Sequence, residues 1–241
     1  MSGLIGYFSK EECDKPGAIL SLILSTNSIT AARRFRLASA AEIACWGIHS
    51  EVSCKDESSL IATLSAAGLA HSIDAQAKID PYSLTLSRDE FGRASIFWTQ
   101  TNETVWFASK LSLLASVLAR KEISLKEISL AGLYGYLCFS YVPSPETTIE
   151  GIHSVPAGGE LRWDASDFFN PVRTRISDWR EASSLITDEE EAVRRLKHLL
   201  EESIRDQLSD IGGEPVGVFL SGGLDSSITA ALLVRAGVRV R

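Results

Sequence analysis

The stretch Pro215-Val216-Gly217-Val218-Phe219-Leu220 runs directly into Ser221-Gly222-Gly223-Leu224-Asp225-Ser226. The first six residues carry no charge and read as a strand buried on both faces, as in a parallel sheet. An apolar helix is expected to follow over Ser226–Arg235. Between strand and helix, two adjacent glycines remove the side chains that would keep an anion away from backbone N–H groups, and the helix aims its positive end at the same point. The turn therefore suits phosphate. Ser221 and Ser226 can donate hydroxyl hydrogen bonds to phosphate oxygens, and Asp225 is placed to cap the helix or to hold a magnesium ion that bridges them.

Upstream, Thr187 followed three residues later by Glu190 is a capping box, and Val193, Leu196, Leu199, Leu200 and Ile204 line one face of the helix expected over Asp188–Leu208. Gly212-Gly213 stops it. The acidic run Glu189 to Glu191 suits the first turn, and Glu190 with Arg194 and Glu191 with Arg195 have i,i+4 spacing. Gly237 begins another strand. Asp164 to Leu185 is mixed in character, and Asn170-Pro171 marks a turn, so this segment reads as a connection between domains.

Up to about Trp163 the apolar residues come in short runs suited to strands: Leu4 to Phe8, Arg34 to Ala38, Ile43 to Ile48, Ser83 to Ser87, Ala94 to Trp98 and Thr104 to Ala108. Gln100 to Glu103 reads as the hairpin turn between the last two. Helical spacing appears at Lys110–Leu118 and Leu125–Phe139. A sheet-rich α+β domain is expected.

The length of 241 residues allows one to two domains, and 45% hydrophobic content excludes global disorder. A formal charge of −7 opposes general binding to nucleic acid. Cys13, Cys45, Cys54 and Cys138 form no CxxC pair, and His49, His71, His153 and His198 stand apart, so zinc has no framework. The apolar stretch Ala18 to Leu24 is too short to span a bilayer and lacks a basic flank, so neither membrane anchor nor signal peptide is expected. Together with unpaired cysteines this points to the cytoplasm.

Val218 to Ser227 closely resembles the pyrophosphate loop of the asparagine synthetase family. The resemblance continues upstream in order. Ser87-Arg88-Asp89-Glu90-Phe91-Gly92 is similar to that family's Arg-Asp-x-x-Gly turn, Phe107-Ala108-Ser109-Lys110 to its Phe-Ala-Ser-Glu step, and Gly151 to Gly158 to its Gly-Ile-x-x-Leu-Pro-Pro-Gly stretch, with Tyr141-Val142-Pro143 and Thr147 fitting between. The resemblance implies an α+β sandwich of the N-terminal-nucleophile-hydrolase type over residues 1–165, a linker over 166–186, and over 187–241 the start of an α/β ATP-pyrophosphatase domain. It further implies ATP-dependent, AMP-forming amide synthesis on a carboxylate such as aspartate, with ATP and Mg as cofactors. Leu220, Ser221, Gly222, Gly223, Leu224, Asp225 and Ser226 then hold ATP pyrophosphate, with Asp225 as a magnesium ligand.

Two departures qualify this. The family's nucleophilic cysteine follows the initiator methionine, and here that position is Ser2. The chain also contains no Asn-Gly and no Gly-Asp dipeptide, both of which the family uses to hold glutamine, and Arg33 to Leu37 does not reproduce its His-Arg-Gly-Pro-Asp segment. Glutaminase activity is therefore not expected, and nitrogen is expected from ammonia or an amine. In this respect the chain resembles β-lactam synthetases and lasso-peptide cyclases. Secondly, one strand, one helix and the start of another strand cannot bury a doubly wound sheet, so the ATP domain reads as truncated. Alternatives are a non-catalytic partner-binding module or a truncated product. Either way, a homo-oligomer or a partner chain completing the C-terminal part is expected.

Overall fold

The computed structural model describes residues 3–9, 16–29, 31–37, 41–46, 50–54, 59–65, 73–101, 103–120, 128–175, 185–208 and 214–241. The described residues fall into two compact units, the first running to Arg175 and the second starting at Leu185.

The first unit is built on two six-stranded antiparallel sheets. One has the order β10 (His153–Ser154), β8 (Phe97–Thr101), β9 (Thr104–Ala108), β1 (Gly3–Ser9), β3 (Ala41–Trp46), β2 (Arg33–Leu37). The other runs β12 (Asp167–Arg175), β11 (Gly159–Asp164), β7 (Ser83–Arg88), β6 (Ala75–Asp80), β5 (Leu60–Leu64), β4 (Ser50–Cys54). Every residue of β1 is buried because both its faces are covered. Leu4 and Phe8 join the core between the sheets, with Ile43, Leu86, Phe107 and Trp163. Ile5 and Tyr7 join a second core under α1 (Pro16–Thr26) and α2 (Leu111–Arg120). An α+β architecture with two facing antiparallel sheets is thus present, as expected.

Several expectations for this unit need correction. The strand expected over Ala94–Trp98 lies at Phe97–Thr101. Its hairpin with β9 places Thr101 opposite Thr104, while Asn102 of the turn lies outside the described residues. The segment beginning at Asp164 is not a connection from its start. Asp167–Arg175 forms β12 and pairs with β11, and Pro171 is tolerated there because β12 is a sheet edge. The remainder of the 166–186 linker is described only at Leu185 and Ile186. The helix expected over Leu125–Phe139 is α3, Leu130–Phe139, with Ser129 as N-cap accepting from Gly132 N–H at 3.1 Å. Its buried residues are Gly132 and Gly135 rather than an apolar stripe. A side chain at Gly132 would meet the Thr147 carbonyl, and one at Gly135 would lie 2.6 Å from Pro143 Cδ. The backbone of α3 is therefore pressed against the Pro143–Thr147 segment.

In the second unit, α4 (Glu189–Leu208) precedes α5 (Leu224–Arg235). The cap of α4 is Asp188, whose Oδ1 accepts from Glu191 N–H at 2.7 Å, one residue later than the Thr187–Glu190 box predicted. Arg194 pairs with Glu191 at i,i+3 rather than with Glu190. Val216 and Val218 N–H donate to the carbonyls of Arg239 and Arg241, and Arg241 N–H returns a bond to Val216, all at 2.9 Å and in parallel sense. Strand-like segment, turn, helix and returning segment occur in the predicted order. Burial on both faces does not occur: Phe219 is 99% exposed. A continuous apolar run signals neighbours on both edges, and among the described residues this one has a neighbour on one edge only. The apolar face of α4 is likewise open, with Leu196 59% exposed. Gly212-Gly213 lies outside the described residues.

Candidate phosphate-binding turn

α5 begins at Leu224, two residues before the start predicted from sequence, with Gly223 as its N-cap at φ −82° and ψ 166°. No side chain caps it, so Asp225 is not the cap. Asp225 sits inside the first turn, exposed, and its carbonyl accepts from Thr229 Oγ1 at 2.9 Å. The N–H groups of Leu224, Asp225 and Ser226 have no acceptor among the described residues, as the first amides of a helix do when nothing caps them. Gly222 has φ +80°, and a Cβ there would meet nothing within 4 Å. Its constraint is backbone conformation, not space.

The turn draws the two predicted hydroxyls together. Ser221 Oγ and Ser226 Oγ are 3.1 Å apart, Gly223 N–H reaches Ser221 Oγ at 3.4 Å, and Ser226 Oγ donates to the Gly223 carbonyl at 3.2 Å. Ser227 Oγ, not singled out from sequence, donates to the same carbonyl at 2.8 Å. Leu220 and Leu224 are both exposed beside it. A cavity of about 380 Å³ adjoins the turn, lined by Val218, Ser226, Thr229 and Leu233 together with Ile204 and Leu208 of α4. Ile204 is part of the apolar face that the sequence marked on α4.

In the first unit the recurring motifs are structural ties. Arg88 is inserted among three carbonyls, donating to Gly92 at 2.6 Å, Val155 at 2.7 Å and Ala94 at 2.8 Å. Burial pushes its guanidinium down from its usual value. Gly92 has φ +63°, and a side chain there would lie 2.7 Å from the guanidinium. Asp89 accepts from Arg93 N–H and Nε at 2.9 Å, and its carbonyl from Gly158 N–H at 2.8 Å, joining the Arg-Asp-x-x-Gly turn to the Gly151–Gly158 stretch. Ser109 binds the start of β1, and Lys110 Nζ lies 5.8 Å from the Trp46 ring centroid.

Arg33 to Leu37 forms edge strand β2. Arg34 and Arg36 ion-pair with the buried Glu42 of β3 at 2.5 and 3.3 Å, an arrangement the cross-strand register of Arg36 with Glu42 explains. Cys45 is buried and its thiol is pushed up by burial. Cys138 is exposed. His153 packs on Trp98 at 4.9 Å and His198 lies 4.0 Å from Glu202. Ser2, Cys13, His49 and His71 lie outside the described residues. Among the described residues no three His, Cys, Asp or Glu side chains cluster as a metal site, and no helix is long and apolar enough to cross a membrane.

Two family models match the chain, asparagine synthase over residues 195–239 and glutamine amidotransferase domain over residues 78–172. The glutamine-hydrolysing asparagine synthetase 1 of Bacillus subtilis is 30% identical over 149 residues, covering 61% of this chain and 22% of that protein. The provisionally named glutamine-hydrolysing asparagine synthetase of Mycobacterium tuberculosis is 32% identical over 160 residues, 65% of this chain and 24% of that one. The chain is thus similar to glutamine-hydrolysing asparagine synthetases. It spans about a quarter of the length of the curated family members it matches. A solved glutamine phosphoribosylpyrophosphate amidotransferase from B. subtilis, complexed with ADP and GMP, aligns over 99% of this chain and 65% of its own at 9% identity, with a TM-score of 0.38. The amidotransferase match contains the Arg88–Gly92 and Gly151–Gly158 ties, and the asparagine synthase match contains the whole Ser221–Ser226 turn.

Proposed function

We propose that the chain carries the pyrophosphate-binding part of an AMP-forming amide ligase of the asparagine synthetase type, preceded by a glutaminase-like unit without glutaminase chemistry. In such a reaction a substrate carboxylate, aspartate in the simplest case, attacks the α-phosphorus of ATP and pyrophosphate leaves. Ammonia or an amine then attacks the acyl carbon of the adenylate, AMP leaves, and the nitrogen loses its proton. The observation that carries this reading is the Ser221–Ser226 turn. It combines three helix-start amides with no acceptor among the described residues, a left-handed Gly222 and two converging hydroxyls, and donors of that kind favour phosphate.

Leu220 to Ser226 would bind the pyrophosphate of ATP. Asp225, exposed in the same first turn, would hold magnesium together with phosphate oxygens, since Mg²⁺ is commonly held by one or two carboxylates plus substrate phosphates. Ser2 in the nucleophile position and the missing Asn-Gly and Gly-Asp dipeptides support the absence of glutaminase activity. The exposed apolar face of α4 and the single neighbour of Val216–Val218 support completion of the second unit by a second copy or a partner chain. A cytoplasmic setting belongs to the same proposal.

Calorimetric titration with magnesium pyrophosphate tests the central claim. Millimolar binding is expected, weakened about tenfold when Ser221 and Ser226 are both changed to alanine. Absence of saturable binding, or binding that the double substitution leaves unchanged, overturns it.

A further inference from the structure

We propose that the open edge of the two-sheet sandwich is a binding site for a small carboxylate with an apolar body, held by Arg173. The site lies within the first unit and stands apart from the ligase reading. β10 and β12 are the edge strands of their respective sheets. A cavity of about 360 Å³ is lined from both, with Trp98 of β8 and the Pro156–Leu161 stretch completing it. That volume falls in the lower range of small-molecule pockets.

The direction of the β12 side chains follows from register. Along β11, Gly159, Leu161 and Trp163 are buried while Glu160 and Arg162 are not, so the first three face the opposite sheet. Arg173 is paired with Leu161 and Arg175 with Gly159. Directly opposed residues share a face. Both arginines therefore lie on that face, each still exposed at the sheet edge, beside a wall that includes Trp98, Pro145 and Leu161. Glu160 and its cross-strand partner Thr174 belong to the other face by the same alternation, and both reach the cavity rim. Arg173 has no ion-pair partner among the described residues.

An unpaired guanidinium beside an apolar cavity, in a chain of net charge −7, selects an anion. The planar fork matches a carboxylate through two parallel N–H···O bonds, which a point charge does not reproduce. The Trp98 and Leu161 wall then takes an aryl or branched aliphatic body. Inward-pointing charge can instead serve to keep a sheet edge from pairing with another chain, and the experiment separates the two roles.

The full chain is titrated with benzoate, and with benzamide as its uncharged counterpart. Saturable binding of benzoate at millimolar concentration or below is expected. Benzamide, and benzoate with Arg173→Gln, should each bind at least about tenfold more weakly, the scale of lost charge-assisted hydrogen bonds, with Arg173→Lys intermediate. Thermal melts of the variants confirm that they fold. The proposal is overturned by equal binding of benzamide, by undiminished benzoate binding to Arg173→Gln, or by no saturable binding in the millimolar range. An Arg173→Gln variant that binds benzoate as before but self-associates would assign the arginine to edge protection instead.

Discussion

Leu4 N–H donates to Ser109 Oγ at 3.0 Å, and Ser109 N–H donates back to the Leu4 carbonyl at 2.9 Å. The first strand of the chain is thereby closed onto the end of a hairpin 105 residues later. Replacing Ser109 with alanine leaves a part-buried amide without its acceptor, at a cost of about 1–3 kcal/mol. Urea unfolding monitored by tryptophan fluorescence should show a lower midpoint with unchanged slope. An unchanged midpoint would mean that the return bond from Ser109 N–H holds the junction alone.

Glutamine should not be hydrolysed. Ser2 stands where the family's nucleophilic cysteine is expected, and the chain lacks Asn-Gly and Gly-Asp. A hydroxyl is harder to ionise than a thiol near neutral pH. Glutamate release from glutamine is expected at background in both the parent chain and Ser2→Ala. Turnover that disappears in Ser2→Ala would make Ser2 a working N-terminal nucleophile.

The chain should self-associate through its second unit. Leu196 and Leu199 of α4 are more than half exposed, and a contiguous apolar face of that kind on a helix seeks cover. Light scattering should show a concentration-dependent mass that Leu196→Glu together with Leu199→Glu returns to the monomer. A monomeric parent chain would refute this.

Stability should fall in alkali. Burial pushes up the thiol of Cys45 and the phenol of Tyr7, with the Glu42 charge adding to the effect on Tyr7. Each group binds its proton more tightly folded than unfolded. The stability gained is complete below the unfolded pKa, about 8.5 for cysteine and about 10 for tyrosine, and is lost as pH rises through the folded values. Cys45→Ala should remove the onset between about pH 8.5 and 10 while leaving the later, tyrosine-dependent part. Identical alkaline profiles for parent and variant would exclude Cys45 as the cause.

The strands with long branched or aromatic side chains were legible in the sequence: β1, β7 and β9 lie where the apolar runs of Leu4, Leu84 and Val105 put them, and β3 (Ala41–Trp46) begins two residues before its expected run from Ile43. The second sheet was less so. β6 alternates buried and partly exposed residues correctly, but two of its three buried positions are Ala75 and Ala77, which bury little area and give a weak signal. α1 escaped because it is apolar nearly all round and so has little periodicity. Pro16 at its first position was the available cue. β12 was hidden by Pro171, which reads as a breaker unless the strand is known to be an edge. At the turn, the sequence order strand, Gly-Gly, helix made it legible that Ser221 and Ser226 converge around a left-handed Gly222, but the choice between Asp225 and Gly223 as cap depends on where the helix axis begins, which a few residues of sequence do not define.

The seating of α3 on Gly132 and Gly135 separates two kinds of information that most helices must write in the same residues. Here the backbone itself is the packing surface, so the demand of the first unit on this helix is met by two positions that have no side chain to vary. Leu130, Tyr134, Leu137 and Phe139, all largely exposed, are then free of that demand. Their identities can drift, or be rewritten wholesale by a designer, without touching the grip of Pro143 and Thr147. The helix is in effect a display rail, fixed at the back and interchangeable at the front.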